Sequence, residues 1–125
     1  MPVNVLIADP EARTRLIVRA GLENAGFHIC GEALDGNDAV DKATTLSPDL
    51  VVVDLRMPML NGIEIASVLR QRLPESKIVL LSTYDVGESL AGVRGISAVA
   101  AKTDGLANLV DCVRRVTRND SISAE

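Results

Sequence analysis

Two hydrophobic patterns alternate along this chain. Short apolar runs, too brief for helices, occupy Val3–Ala8, Leu50–Val53 leading into Asp54, Ile78–Ser82 and Ala98–Ala101. They read as strands buried on both faces. His28–Ala33 reads as a further strand, second in chain order. Between the strands, apolar residues recur at helical spacing. Glu11–Ala25 predicts a helix stopped by Gly26. Gly36–Leu46 carries Ala39, Val40, Ala43 and Leu46 on one face, and Ile63–Leu73 carries Ile65, Ala66, Leu69 and Leu73. A weak, Gly-flanked helix is expected over Gly87–Val93. A last helix carries the stripe Leu106, Leu109, Val110, Val113 and Val116, with Arg114, Arg115 and Arg118 in its final turn, favourable for the helix dipole. Asp9 is expected to cap the first helix, with Pro10 at its first position, and Asp104 to cap the last. Pro48 and Pro74 punctuate the third strand and the end of the third helix.

Five β-α repeats imply a parallel sheet with helices on both faces. In such a sheet every strand ends on the same edge, where open α/β folds place their sites. Asp9, Asp54, Ser82 and Lys102 follow or end strands one, three, four and five, so they are expected to converge although distant in sequence. Two carboxylates beside a lysine and a hydroxyl suit a divalent cation with a phosphoryl group. Magnesium takes a few carboxylate oxygens together with water and phosphate. Asp54, at the end of its buried run and before the turn residues Pro58 and Asn61-Gly62, is the candidate attacking oxygen. The plainer alternative is that Lys102 only neutralises buried acids.

Composition narrows the function classes. The chain has 125 residues, 47% hydrophobic and 24% charged, which fits one globular domain. No apolar stretch approaches the ~20 residues of a membrane span. Met1-Pro2-Val3 enters a strand without a basic leader, so the expected location is cytoplasmic. A net charge of −4, one Tyr, one Phe and no Trp argue against this domain itself binding nucleic acid. Cys30 and Cys112 lack metal or redox spacing and are expected as buried free thiols. His28 reads as an ordinary edge histidine. Arg13, Arg15 and Arg19 read as a solvated helix face, with partner docking as the alternative.

The segments Val5–Asp9, Pro48–Pro58, Asn61-Gly62, Leu81–Asp85 and the strand-terminal Lys102 resemble the receiver domains of two-component response regulators, over about residues 3–117. Cys30–Ala33 and Ser82–Asp85 are similar to the NarL/LuxR-like subfamily. The resemblance implies a flavodoxin-like, doubly wound five-stranded parallel sheet of order 2-1-3-4-5. It implies that Asp54 is a phosphoacceptor served by a histidine kinase, in a domain that is not a free-standing enzyme but assists its own phosphoryl transfer and dephosphorylation. Asp9, Asp54 and the backbone carbonyl of Arg56 would hold magnesium, Ser82 would be the switch hydroxyl and Lys102 the phosphate-binding lysine. Tyr84, Thr83 and Val99 take modulating positions.

Several residues depart from the family pattern. Pro10 stands where a second acid is usual, which implies weak magnesium binding, with Glu11 a further candidate ligand. Val99 replaces the switch aromatic, and Thr103 follows the lysine in place of proline. The stretch from Ser82 to Lys102 is short by family comparison. The resemblance implies a receiver over 1–118, with 119–125 a flexible tail or the start of a linker. Any DNA contact would come through a C-terminal domain absent from this chain, in the control of transcription. Self-association is expected through the first and last helices. The competing reading is a degenerate, phosphorylation-independent interaction module. Enzyme readings are disfavoured. A dehalogenase-type phosphatase wants an acid where Arg56 stands, and no Gly-x-Gly-x-x-Gly follows the first strand.

Overall fold

A computed structural model describes residues 2–83 and 93–124, with side chains as far as Arg118. Five parallel strands, β1 (Asn4–Ala8), β2 (His28–Ala33), β3 (Leu50–Asp54), β4 (Lys77–Ser82) and β5 (Ala98–Ala101), form one sheet of order β2-β1-β3-β4-β5. The helices are α1 (Ala12–Asn24), α2 (Gly36–Leu46), α3 (Gly62–Arg72) and α4 (Gly105–Ala124). The expected sheet and its order are those observed. The expected helix over Gly87–Val93 lies outside the described residues.

β3 sits in the middle because all of its residues can be buried, and all of them are. Its alternation feeds two cores. Leu50 and Val52 pack with Val5, Ile7, Val79 and Leu81 against Val18 and Leu22 of α1 and Leu109 and Val113 of α4. Val51 and Val53 pack with Leu6, Ile78 and Leu80 against Ala39 and Ala43 of α2 and Ile65 and Leu69 of α3. Full burial of one such aliphatic side chain contributes roughly 1.5–3 kcal/mol, so these two layers dominate the folding energy.

Register carries the strand ends to a common edge. Ala8 pairs Val53, Asp54 pairs Leu81, and Ser82 pairs Ala101.

The helix boundaries correct several expectations. The N-cap of α1 is Glu11, not Asp9, and Pro10 precedes the helix. A residue before proline is biased to extended backbone, which keeps Asp9 with its strand. Lys102–Asp104 form a short 3₁₀ turn, and Gly105, at φ 87°, turns the chain into the helix. α4 runs to Ala124. Neither Pro nor Gly occurs over 119–124 to break its hydrogen-bond ladder. Two stripe residues are less buried than their spacing implied: Leu46 is 41% and Leu106 36% exposed. Cys112 is buried but Cys30 only partly, and both thiols are free. His28 is exposed, its Nδ1 2.9 Å from Asn4 Oδ1, as an edge histidine should be.

Candidate functional site

The site is built where β1, β3, β4 and β5 end. Asp9, Asp54 and Ser82 are the buried polar side chains among the described residues. Lys102, in the turn after β5, spans the two acids. Its Nζ donates to Asp54 Oδ2 at 2.7 Å and lies 3.3 Å from Asp9 Oδ2. The other oxygen of each carboxylate is held by the backbone that follows it. Glu11 N–H donates to Asp9 Oδ1, and Arg56 N–H donates to Asp54 Oδ1, each at 2.8 Å. Each acid thus closes a short turn and presents its remaining oxygen to the lysine. Asp9 Oδ2 is buried and has no hydrogen-bond partner; the Lys102 ammonium is its ion-pair neighbour without hydrogen-bond geometry.

Charge follows from this arrangement. Burial pushes the Asp9 carboxyl above the usual carboxylate range, and the nearby Asp54 carboxyl adds to the rise. The Glu11 N–H and the charge of Lys102 offset only part of it. Burial acts to lower Lys102, but the hydrogen bond and charge of Asp54, together with Asp9, more than offset it. The ammonium is held above its ordinary value. Two carboxylates and one ammonium leave the cluster one negative charge in excess when all are ionised.

The loop from β3 to α3 is tightly shaped. Gly62 admits the start of α3 against the strand end, since a Cβ there would lie 2.6 Å from Leu80 Cδ1 and 2.9 Å from the Asp54 carbonyl oxygen. Asn61 caps α3 in a reciprocal box with Glu64. The Pro58 carbonyl accepts twice, from Leu60 N–H at 2.9 Å and from Gly36 N–H at 2.8 Å. The first of these closes a γ-turn centred on Met59, whose φ of 74° is rare for a residue with a Cβ. Met59 is 71% exposed.

The structure therefore brings together Asp9, Asp54 and Lys102, with buried Ser82 ending the adjacent strand. It does not bring in Glu11, which is exposed and accepts from Thr14 Oγ at 2.5 Å. Among the described residues no group of three or more His, Cys, Asp or Glu side chains could hold a metal. The two carboxylates, one with an unbonded buried oxygen, nevertheless fit magnesium, which commonly takes only one or two carboxylates from a protein. Thr83 is exposed beside the site, Val99 packs half-buried against the α3 side of the core, and Tyr84 lies outside the described residues. Sequence reasoning missed Arg15. Expected in solvent, it is only 12% exposed and bonds the Asp9 backbone. Its distance from Asp9 along the chain gave no signal, because the contact depends on how α1 leaves the strand.

Comparison with known proteins agrees with this geometry. A family model for the response regulator receiver domain matches residues 5–110. The response regulator protein VraR of Staphylococcus saprophyticus is 29% identical over 127 residues, covering 98% of this chain and 60% of VraR. The chain thus spans about 60% of the length of the curated relatives it matches. Among solved structures, the signal receiver domain of the response regulator NarL from Mycobacterium tuberculosis superposes with a TM-score of 0.84 at 25% identity, over 94% of this chain and 97% of that one. The CheX-CheY complex with beryllium trifluoride and magnesium from Borrelia burgdorferi gives 0.86 at 26% identity, over 94% and 90%.

Proposed function

We propose, from the premise that this chain belongs to the response regulator receiver domain family, that its Asp54 accepts the phosphoryl group of two-component signalling. Receiver domains interact with histidine kinases and generally bind magnesium. The observation that carries the assignment of residues is the single lysine spanning two buried strand-end acids, 2.7 Å from one and 3.3 Å from the other.

In this reading an Asp54 carboxylate oxygen attacks the phosphorus of a phosphohistidine. The P–N bond breaks, its electron pair stays on the imidazole, and an acyl phosphate forms on Asp54. Lys102 transfers its hydrogen bond from Asp54 Oδ2 to a phosphoryl oxygen, and the Ser82 hydroxyl donates to another. Arg56 N–H keeps the unreacted oxygen of Asp54 in place. Asp9, Asp54 and the Arg56 carbonyl would hold magnesium, which supplies charge neutralisation at the phosphoryl oxygens. Pro10 in place of an acid, and the outward Glu11, support weak magnesium binding. They also favour the second reading, a phosphorylation-independent interaction module.

The domain assignment is a receiver over 1–118, followed by a linker to a DNA-binding domain, acting in the cytoplasm on transcription. The length of the relatives and their NarL/LuxR type support it. Among the described residues no helix is long and apolar enough to cross a membrane. Pairing of two copies through α1 and α4 is supported by an apolar recess of about 170 Å³ lined by Ile17, Val18, Leu106 and Leu109.

Mass spectrometry after incubation with acetyl phosphate and magnesium tests the assignment. One phosphate mass should appear on the wild type and be lost in Asp54→Asn. An unlabelled wild type, under conditions that label an ordinary receiver, would favour the interaction module.

A further inference from the structure

Beside the acid pair stands a second charged assembly that phosphoryl transfer does not use. Arg15, in the first turn of α1, folds back over the helix entrance. Its Nη1 donates to the backbone carbonyl oxygen of Asp9 at 2.7 Å, and its Nε donates to Glu32 Oε1 at 2.9 Å. Glu32 lies on β2, the neighbour of β1, and also accepts from Arg19 Nη1. Lys42 Nζ donates to the Glu32 backbone carbonyl at 2.5 Å. Arg15 is the inner member of this network, 12% exposed where Arg19 is 38%.

The entrance to α1 needs an external holder. Pro10 brings no N–H, and Glu11, the N-cap, makes no side-chain capping bond. Yet Asp9 must keep Oδ2 in a buried position without a hydrogen bond. Leaving a buried polar group unsatisfied costs about 1–3 kcal/mol, so a carboxylate free to turn would turn away. Besides the Lys102 ion pair to Oδ2 itself, three hydrogen bonds oppose that turn: Asp9 N–H to the Ala33 carbonyl at 3.1 Å, Glu11 N–H to Asp9 Oδ1, and Arg15 to the Asp9 carbonyl. Of the three hydrogen bonds only the last is donated by a side chain, so it can be removed without altering the backbone and without touching the Lys102 ion pair.

We propose that Arg15 is a positioning residue for Asp9. Its guanidinium fixes the Asp9–Pro10 peptide so that Asp9 Oδ2 stays aimed at Lys102 and the cation site, and Glu32 anchors the guanidinium. The planar fork of arginine serves both acceptors at once, which a lysine ammonium does not reproduce. The charge of Arg15 is spent on Glu32 rather than on the Asp9 carboxylate, so the clamp leaves the acid available to a cation. This rests on the reading of Asp9 as a metal ligand.

The test titrates manganese(II) as the probe, read by electron paramagnetic resonance, into the full chain as wild type, Arg15→Ala, Arg15→Lys and Glu32→Gln. Arg15→Ala should weaken binding about tenfold or more, as the loss of a residue orienting a metal ligand typically does. Arg15→Lys and Glu32→Gln should fall between it and the wild type. In the metal-free protein, the Glu11 amide proton should shift upfield in Arg15→Ala as its bond to Asp9 Oδ1 loosens. A purely structural Arg15 would lower the melting temperature while leaving both the dissociation constant and the Glu11 shift at wild-type values; that result overturns the proposal. If Arg15→Ala does not fold, wild-type affinity and Glu11 shift in both other variants overturn it equally. If the wild type itself binds no manganese, the metal reading fails instead, and the metal-free Glu11 shift still decides the role of Arg15.

Discussion

Gly36→Ala should be among the most damaging single-methyl additions in this fold. A Cβ at Gly36 would lie 2.4 Å from Leu60 Cβ and 2.5 Å from both the backbone nitrogen and the carbonyl oxygen of Leu60. Two of these atoms are backbone, so no rotamer change relieves the overlap. Ordinary contact requires the start of α2 and the β3–α3 loop to separate by about 1 Å, an overpacking that typically costs ~1–3 kcal/mol. Separation also breaks the 2.8 Å bond from Gly36 N–H to the Pro58 carbonyl. A buried donor left without its acceptor costs a further ~1–3 kcal/mol. Against this, alanine gains up to ~1 kcal/mol of helix propensity, less at a first-turn position. The net expectation is destabilisation of about 1–6 kcal/mol, read from urea unfolding followed by circular dichroism. The same loop carries Arg56, whose N–H holds Asp54, so labelling by acetyl phosphate should slow in the folded variant as well. A variant within about 0.5 kcal/mol of wild type, the usual range for neutral surface changes, would refute the fixed packing of this loop against α2.

Met59→Gly should have the opposite sign, raising stability by about 1 kcal/mol in thermal unfolding, because the left-handed φ costs a side chain that much; no gain would mean the turn carries no strain. Pro10→Asp should tighten magnesium binding in calorimetry, each tenfold step being worth about 1.4 kcal/mol, and unchanged affinity would show that another group already supplies the missing charge. Asp9→Asn should stabilise the protein at neutral pH. A carboxyl raised on folding favours the protonated form, so its ionised state opposes folding. That advantage should shrink as pH falls through the raised range of the folded carboxyl and be gone below the ordinary carboxylate value of 3.8, and an advantage that does not narrow in acid would contradict the sign.

The strands were legible because a fully buried parallel strand leaves an uninterrupted apolar run, and Leu50–Val53 is the clearest. Once the strands were ordered, the meeting of Asp9, Asp54, Ser82 and Lys102 at one edge followed from parallelism alone. What remained hidden depended on how the chain leaves each strand. Asp9 looked like a helix cap, but the extended bias before Pro10 handed the cap to Glu11 and left the acid in the site. The box formed by Asn61 and Glu64 is legible in their three-residue spacing before an apolar run, although Asn61-Gly62 by itself reads as a turn. Gly36 against Leu60, and Arg15 against Glu32, join residues whose separation carries no local pattern. Leu46 and Leu106 remain exposed despite their spacing, Leu46 lying over Gly31 of β2 and Leu106 over Gly21 of α1.

The bond from Lys102 to Asp54 crosses 48 residues of sequence, and β4 lies between the strands that carry them. Non-local parallel pairings form slowly, and during synthesis the N-terminal part of a chain emerges first. A partly made chain that has paired β1 with β3 therefore holds two acids at one sheet edge before β5 exists to bring their counter-charge. Those acids repel one another until Lys102 arrives, so the nascent edge resists closing and the last strand adds both its hydrogen bonds and electrostatic relief. Folding of this domain is expected to lock late and at the β5 end, with Lys102 substitutions speeding unfolding more than they slow the early pairing of β1 and β3.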